Sequence, residues 1–274
     1  MGKNKQPDFT FIPVASLRHN SIIVYDYYLG PRGNRTSFKK GHKPDNSAGF
    51  SLAVKKRISN AVVTWVTCVM SAKKERWRDF LTFGTVTLSR EQKDSDKAIK
   101  RLMLNHFIIT LKRKAGIRNY LWIAEKQKNG NLHFHLLLDR WIKHKDFRQY
   151  WNDVQNCNGY LGQNKNPNST DIRNRSIKPQ YFIKETVKQY QKFNIDGRMW
   201  GATEMVKTLR PYAVEIDGRL FEFIEDQKNK LWFRAEDQYL LLAGDYHKDF
   251  HAIGGYHVEE MAKYYKNLFD SMYN

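Results

Sequence analysis

NYLWIAEK (residues 119–126), QKNG (127–130) and NLHFHLLLD (131–139) read as two strands joined by a hairpin connection that ends in Asn129-Gly130. The second runs into Leu136, Leu137 and Leu138, which anchor it in a core. A tight connection of this kind makes the pair antiparallel and places Glu125 opposite the histidines of the second strand. His133 and His135 are two apart, so both imidazoles project from one face, while Phe134 points the other way into packing.

Outward from this hairpin, FLTFGTVTLSR (Phe80–Arg90) has the composition of a further strand. Between it and the hairpin, EQKDSDKAIKRLMLNHFIITLKRKAG reads as a helix. Ser95 is its expected N-cap, Leu102, Phe107, Ile108 and Leu111 its apolar stripe, and Gly116 its close. Helical spacing of Ile58, Val62, Trp65, Val66 and Val69 predicts another helix over Ser51 to about Lys74. After the hairpin, helices are expected over about Lys143–Asn156 and Lys178–Lys192, with a short strand near Gly159–Gln163. In residues 203–274, AVEIDGRLFEFIEDQKNKLWFRA reads as two or three strands with Asp217-Gly218 as a turn, and EEMAKYYKNLFDSM as a terminal helix.

This order implies α+β architecture: a central antiparallel sheet with helices packed on it. Three regions are expected: an irregular basic arm over 1–50, a central domain over 51–202, and a C-terminal β-rich extension over 203–274. Glycine, proline and basic residues crowd positions 30–49 of the arm.

The chain has 274 residues and 47 Lys+Arg against 28 Asp+Glu, a formal charge of +19. Such an excess points to a polyanionic partner, nucleic acid first, because phosphates reward dispersed lysine and arginine. With 41% hydrophobic residues there is enough apolar material for a core, which excludes wholesale disorder. Cys68 and Cys157 fit no zinc, redox or disulfide pattern, so a reducing cytoplasm is the expected compartment. The opening MGKNKQPDFT lacks the apolar core of a secretory leader, and Ala61–Met70 is too short to span a bilayer. No membrane partner is expected. No GxxxxGK[ST] phosphate loop occurs, so ATP hydrolysis is not indicated.

Two neutral imidazoles beside a carboxylate, Glu125, His133 and His135, make a mixed nitrogen and oxygen donor set that suits Mn²⁺ or, functionally, Mg²⁺. A bare HxH pair also occurs as two strand histidines facing solvent or a helix; Glu125 on the facing strand favours ligation. In QYFIKETVKQY, Tyr181, Lys184 and Lys188 share one helical stripe. A tyrosine flanked by two lysines suits attack on a phosphodiester, the cations stabilising phenolate and phosphate oxygens. Read alone, the same stripe is a half-buried tyrosine with solvated lysines. Lys55, Lys56 and Arg57 are further candidate phosphate contacts, or simply a solvated helix face.

Together, EKQKNGNLHFHLLLD and YFIKE resemble the second and third motifs of the HUH endonucleases that initiate rolling-circle replication, and FLTFGTVTL resembles their first. KNPNSTDI and GRMWGATEMV are similar to segments of initiators from single-stranded DNA phages and small bacterial plasmids. The resemblance covers about residues 76–202. It implies a five-stranded antiparallel sheet, Glu125, His133 and His135 as metal ligands, Tyr181 as nucleophile and Lys184 as the lysine that orients metal, DNA or tyrosine. It further implies nicking of single-stranded DNA at a replication origin in a bacterial host, a 5′-phosphotyrosine link, and a free 3′-hydroxyl that primes a host polymerase after a host helicase opens the duplex. Where many phage members carry a second tyrosine, four residues after the first, this chain has Glu185. A transposase or relaxase with the same chemistry, and a DNA-binding protein without catalysis, are the rival readings.

Overall fold

A computed structural model of the chain describes residues 10–17, 21–29, 50, 52–73, 80–163, 167, 169–173, 195–228, 232–236, 239–243 and 257–273. In chain order the elements are β1 (Thr10–Leu17), β2 (Ser21–Leu29), α1 (Leu52–Lys73), β3 (Thr82–Thr87), α2 (Asp96–Ile99), α3 (Asn105–Thr110), β4 (Tyr120–Lys126), β5 (Leu132–Leu138), α4 (His144–Cys157), β6 (Thr170–Arg173), β7 (Trp200–Ala202), α5 (Glu204–Thr208), β8 (Tyr212–Glu215), α6 (Gly218–Lys228), β9 (Trp232–Glu236), β10 (Tyr239–Ala243) and α7 (Val258–Tyr273). The chain divides into two compact units, one of Met1–Pro44 with Arg210–Leu268 and one of Asp45–Leu209 with Phe269–Asn274. The architecture is α+β, and each unit holds a five-stranded sheet.

In the first unit the strand order is β8-β1-β2-β10-β9, all antiparallel. This departs from the expected irregular arm over 1–50. In β1 and β2, TFIPVASL and SIIVYDYYL are rich enough in β-branched and aromatic residues to pair over their whole length. Nor do residues 203–274 build a sheet of their own, since β8, β9 and β10 share one with β1 and β2. Asp217-Gly218, expected as a hairpin turn, instead opens α6. The Asp217 carboxylate accepts the Leu220 backbone N–H at 2.8 Å, capping the helix. Tyr265 of α7 is fully buried and donates its hydroxyl to the Leu17 carbonyl at 2.6 Å.

In the second unit the order is β6-β3-β5-β4-β7, again antiparallel throughout. The hairpin of residues 119–139 supplies the centre: β5 lies between β3 and β4. Gln127 and Asn131 close its connection with a 2.9 Å backbone bond, and Gly130 takes φ 85°, a value that suits glycine. One face of this sheet packs on helices. Gly84 leaves room for Phe147 of α4, since a Cβ at Gly84 would lie 2.7 Å from the Phe147 ring. Phe147 and Trp151 meet Phe107 edge to face at 5.2 and 5.1 Å. All three are fully buried, each worth about 1.5–3 kcal/mol relative to exposure.

Residues 96–115 form one continuous helix: α2, a π-helical turn over Lys100–Leu104, α3, and a second π turn over Leu111–Ala115. Ser95 caps it, accepting the Ala98 N–H at 3.3 Å, and Gly116 ends it in the left-handed region at φ 67°. Leu102, expected in the apolar stripe, is 42% exposed. The buried stripe runs at four-residue spacing through Ile99, Met103, Phe107 and Leu111, which leaves Leu102 on the far side. The strand expected near Gly159–Gln163 is absent; that stretch is turn and coil, and the next strand is β6. The helix expected over Lys178–Lys192 lies outside the described residues.

Candidate metal and nucleic-acid site

The central strand β5 carries His133 and His135 on the sheet face opposite to Phe134. Pairing places Glu125 directly across from His133, and Ile123 across from His135. On the other side of β5, Thr87 faces His133 and Thr85 faces His135. Because β5 is flanked by two strands on each side, its histidines stand on the least yielding part of the sheet.

The Glu125 carboxylate reaches diagonally to His135 and accepts a hydrogen bond from Nε2 at 2.8 Å. The Nδ1 atoms of both His133 and His135 are buried and meet no hydrogen-bond partner among the described residues. The two rings lie 4.7 Å apart, edge to face. Burial, with His135 beside it, pushes the His133 imidazole down to about 3, so it is neutral at physiological pH. Phe83 of β3 stacks on His135 at 5.9 Å. Beside them the Thr87 hydroxyl donates to Gln127 at 2.9 Å.

This arrangement brings together one carboxylate and two imidazoles whose Nδ1 atoms meet no partner among the described residues, donor types that a divalent first-row cation takes. Among the described residues no group of three or more His, Cys, Asp or Glu is arranged to hold a metal ion. Glu125 and His135 bond each other instead, so a cation bound there would displace that hydrogen bond.

Residues 81–204 match the protein family described as Replication-associated protein ORF2/G2P. The match supports a replication initiator of the rolling-circle kind. It covers less than half of the chain, yet spans every strand of the second unit's sheet, from β3 to β7. The strands of the first unit lie outside it. No curated protein and no solved structure matches the chain.

The other sequence-predicted residues fall in two places. Tyr181, Lys184 and Lys188 lie outside the described residues, in the segment that connects β6 to β7. Among the described strands those are the two edges of the sheet whose middle carries the histidines. Lys55, Lys56 and Arg57 belong to α1, Lys55 half-buried and the other two exposed. The Arg57 guanidinium stands over the Trp200 ring, 5.8 Å from its centroid. Sequence reasoning missed Phe83 and Gln127 as neighbours of the histidines. Alternation in FLTFGTVTL, which puts Phe83, Thr85 and Thr87 on one face, was the available signal for the first.

A second polar cluster ties the ends of this unit together. Lys100, on the first π turn, donates its ammonium to the carbonyls of Asp196 and Arg198. Asp96 pairs with Lys126 at 3.1 Å and accepts the Asp196 N–H at 3.0 Å and the Gln92 amide at 2.7 Å. The loop that leads into β7 is thereby fastened to the start of the helix and to the residue after Glu125. Among the described residues no helix is long and apolar enough to cross a membrane.

Proposed function

We propose that the chain is a replication initiator that nicks and rejoins single-stranded DNA at an origin, with Tyr181 as nucleophile and Glu125, His133 and His135 as ligands to Mn²⁺ or Mg²⁺. The observation that carries this reading is the convergence of Glu125, His133 and His135 on one face of the central strands, inside the segment that matches the replication family. A divalent cation bound there supplies Lewis-acid polarisation of the scissile phosphate.

The phenolic oxygen of Tyr181 gives up its proton to solvent and attacks phosphorus, the bond from phosphorus to the 3′-oxygen breaks, and the leaving oxygen takes up a proton from solvent. The products are a 5′-phosphotyrosine link and a free 3′-hydroxyl. Lys184 and Lys188 share the helical stripe predicted for Tyr181 and balance the charge of phenolate and phosphate. The energy of the phosphodiester is kept in the covalent link, so rejoining needs no ATP. A polymerase extends the 3′-hydroxyl and a separate helicase opens the duplex. The formal charge of +19 supplies the electrostatic part of binding.

The test is incubation with Mn²⁺ and tiled single-stranded oligonucleotides covering the DNA that encodes the chain and its flanks, followed by a denaturing gel. The reading requires cleavage at one tile, an adduct of protein and DNA, loss of the adduct in Tyr181→Phe, and inhibition by EDTA. Cleavage that persists unchanged in EDTA, or an adduct on another residue, overturns it.

A further inference from the structure

Trp200 is half-buried on β7, which among the described residues is an edge strand that pairs only with β4. Its register partner is Ile123, whose own partner on the next strand is His135. The three side chains therefore stand in one row on one face of the sheet. With neighbouring strands about 4.8 Å apart, the Trp200 backbone is roughly 10 Å from that of His135. Gly201, the neighbour of Trp200, lies on the opposite face, across from Trp122. A Cβ there would lie 2.7 Å from the Trp122 indole on the opposite face, so only glycine lets β7 close on β4 in this register. Over the Trp200 ring stands the exposed Arg57 guanidinium, one residue after the exposed Lys56.

An indole with a planar cation beside it, in line with the buried His135 imidazole, is a surface that takes a planar aromatic ligand joined to an anion. We infer that Trp200 stacks a base of bound single-stranded DNA flanking the scissile phosphate, and that Arg57 pairs with the adjoining backbone phosphate. This rests on the proposed function, and adds the residue that holds a base next to the site of cleavage. Stacking is tolerant of sequence because every base has a π-face, so Trp200 fixes the position of the strand and leaves its sequence to other contacts.

The experiment uses the full chain and two fluorescein-labelled probes, a twenty-nucleotide oligo(dT) and a deoxyribose–phosphate strand of the same length with no bases, each titrated at one salt concentration by anisotropy. Wild type is expected to prefer oligo(dT) by roughly tenfold or more. Trp200→Leu, which keeps apolar bulk without a π-face, brings that ratio close to one while leaving affinity for the baseless strand unchanged. Trp200→Phe retains most of the ratio. Arg57→Ala weakens both probes alike and lowers the salt slope by about 0.7. A Trp200→Leu ratio equal to wild type, or a wild type with no preference, overturns the inference. Nicking need not occur in this assay, so a chain that fails to cleave but shows the base preference overturns only the proposed function. One that binds neither probe overturns both.

Discussion

Glu125 stands directly opposite His133 in the β4–β5 ladder, yet its carboxylate bonds His135, one diagonal away, at 2.8 Å. The carboxylate thus faces one imidazole and bonds the other, and removing His135 takes away its hydrogen-bond partner. Hydrogen-bond partners of metal ligands are worth about 10–100-fold in activity or metal affinity, so a direct ligand costs at least about 100-fold. Under the proposed function, Glu125→Ala, His133→Ala and His135→Ala should each abolish metal-dependent nicking on a denaturing gel. Binding of single-stranded DNA, spread over many phosphate contacts, should stay within a few-fold of wild type.

Gly201→Ala places a methyl group 2.7 Å from the Trp122 indole. The edge strand cannot retreat without losing its pairing to β4, so overpacking of about 1–3 kcal/mol is expected. Chemical denaturation should report it as a lower midpoint with an unchanged slope.

Lys100→Met removes the ammonium that satisfies the carbonyls of Asp196 and Arg198. Leaving such acceptors without their donor costs about 1–3 kcal/mol. Hydrogen exchange should show faster opening of residues 195–199 and β7 than of β5; uniform protection across both would contradict this role.

Burial raises the Asp96 carboxyl, but the Asp196 N–H, Gln92 and Lys126 outweigh it and hold the group below its ordinary 3.8. A depressed folded value means stability that is complete above 3.8 and lost as pH falls through the lower folded value. Urea melts between about pH 2 and 6 should show wild type ahead of Asp96→Asn at the upper end, with the gap closing towards the lower.

The hairpin of residues 119–139 was legible because three signals agree there: the two-residue spacing of His133 and His135, an Asn-Gly turn and a run of leucines. The convergence of Glu125 with the histidine pair followed from the strand period together with the hairpin connection. What the sequence hid was of another kind. Asp217-Gly218 is chemically suited both to a hairpin turn and to a helix start, and the capping bond to Leu220 selects the second. The strands β1 and β2 look irregular in isolation, since a basic, glycine-rich stretch follows them and their partners β8 and β10 lie far along the chain. The positions of Trp200 and Gly201 depend on an edge-strand register that no local pattern encodes.

That separation in sequence has a consequence for biosynthesis. Strand β2 ends at Leu29, and its neighbour β10 begins at Tyr239. At about 5–20 residues per second, ribosomes need roughly 10–40 seconds to deliver the missing strand after the first hairpin emerges. Throughout that interval one flank of β2 offers unpaired amide and carbonyl groups to any other nascent chain. The second unit, most of which is encoded inside this gap, has its sheet finished first. Translation speed across residues 45–209 therefore sets how long the β2 edge waits, and slow codons there should lower the yield of assembled protein more than equally slow codons after residue 243.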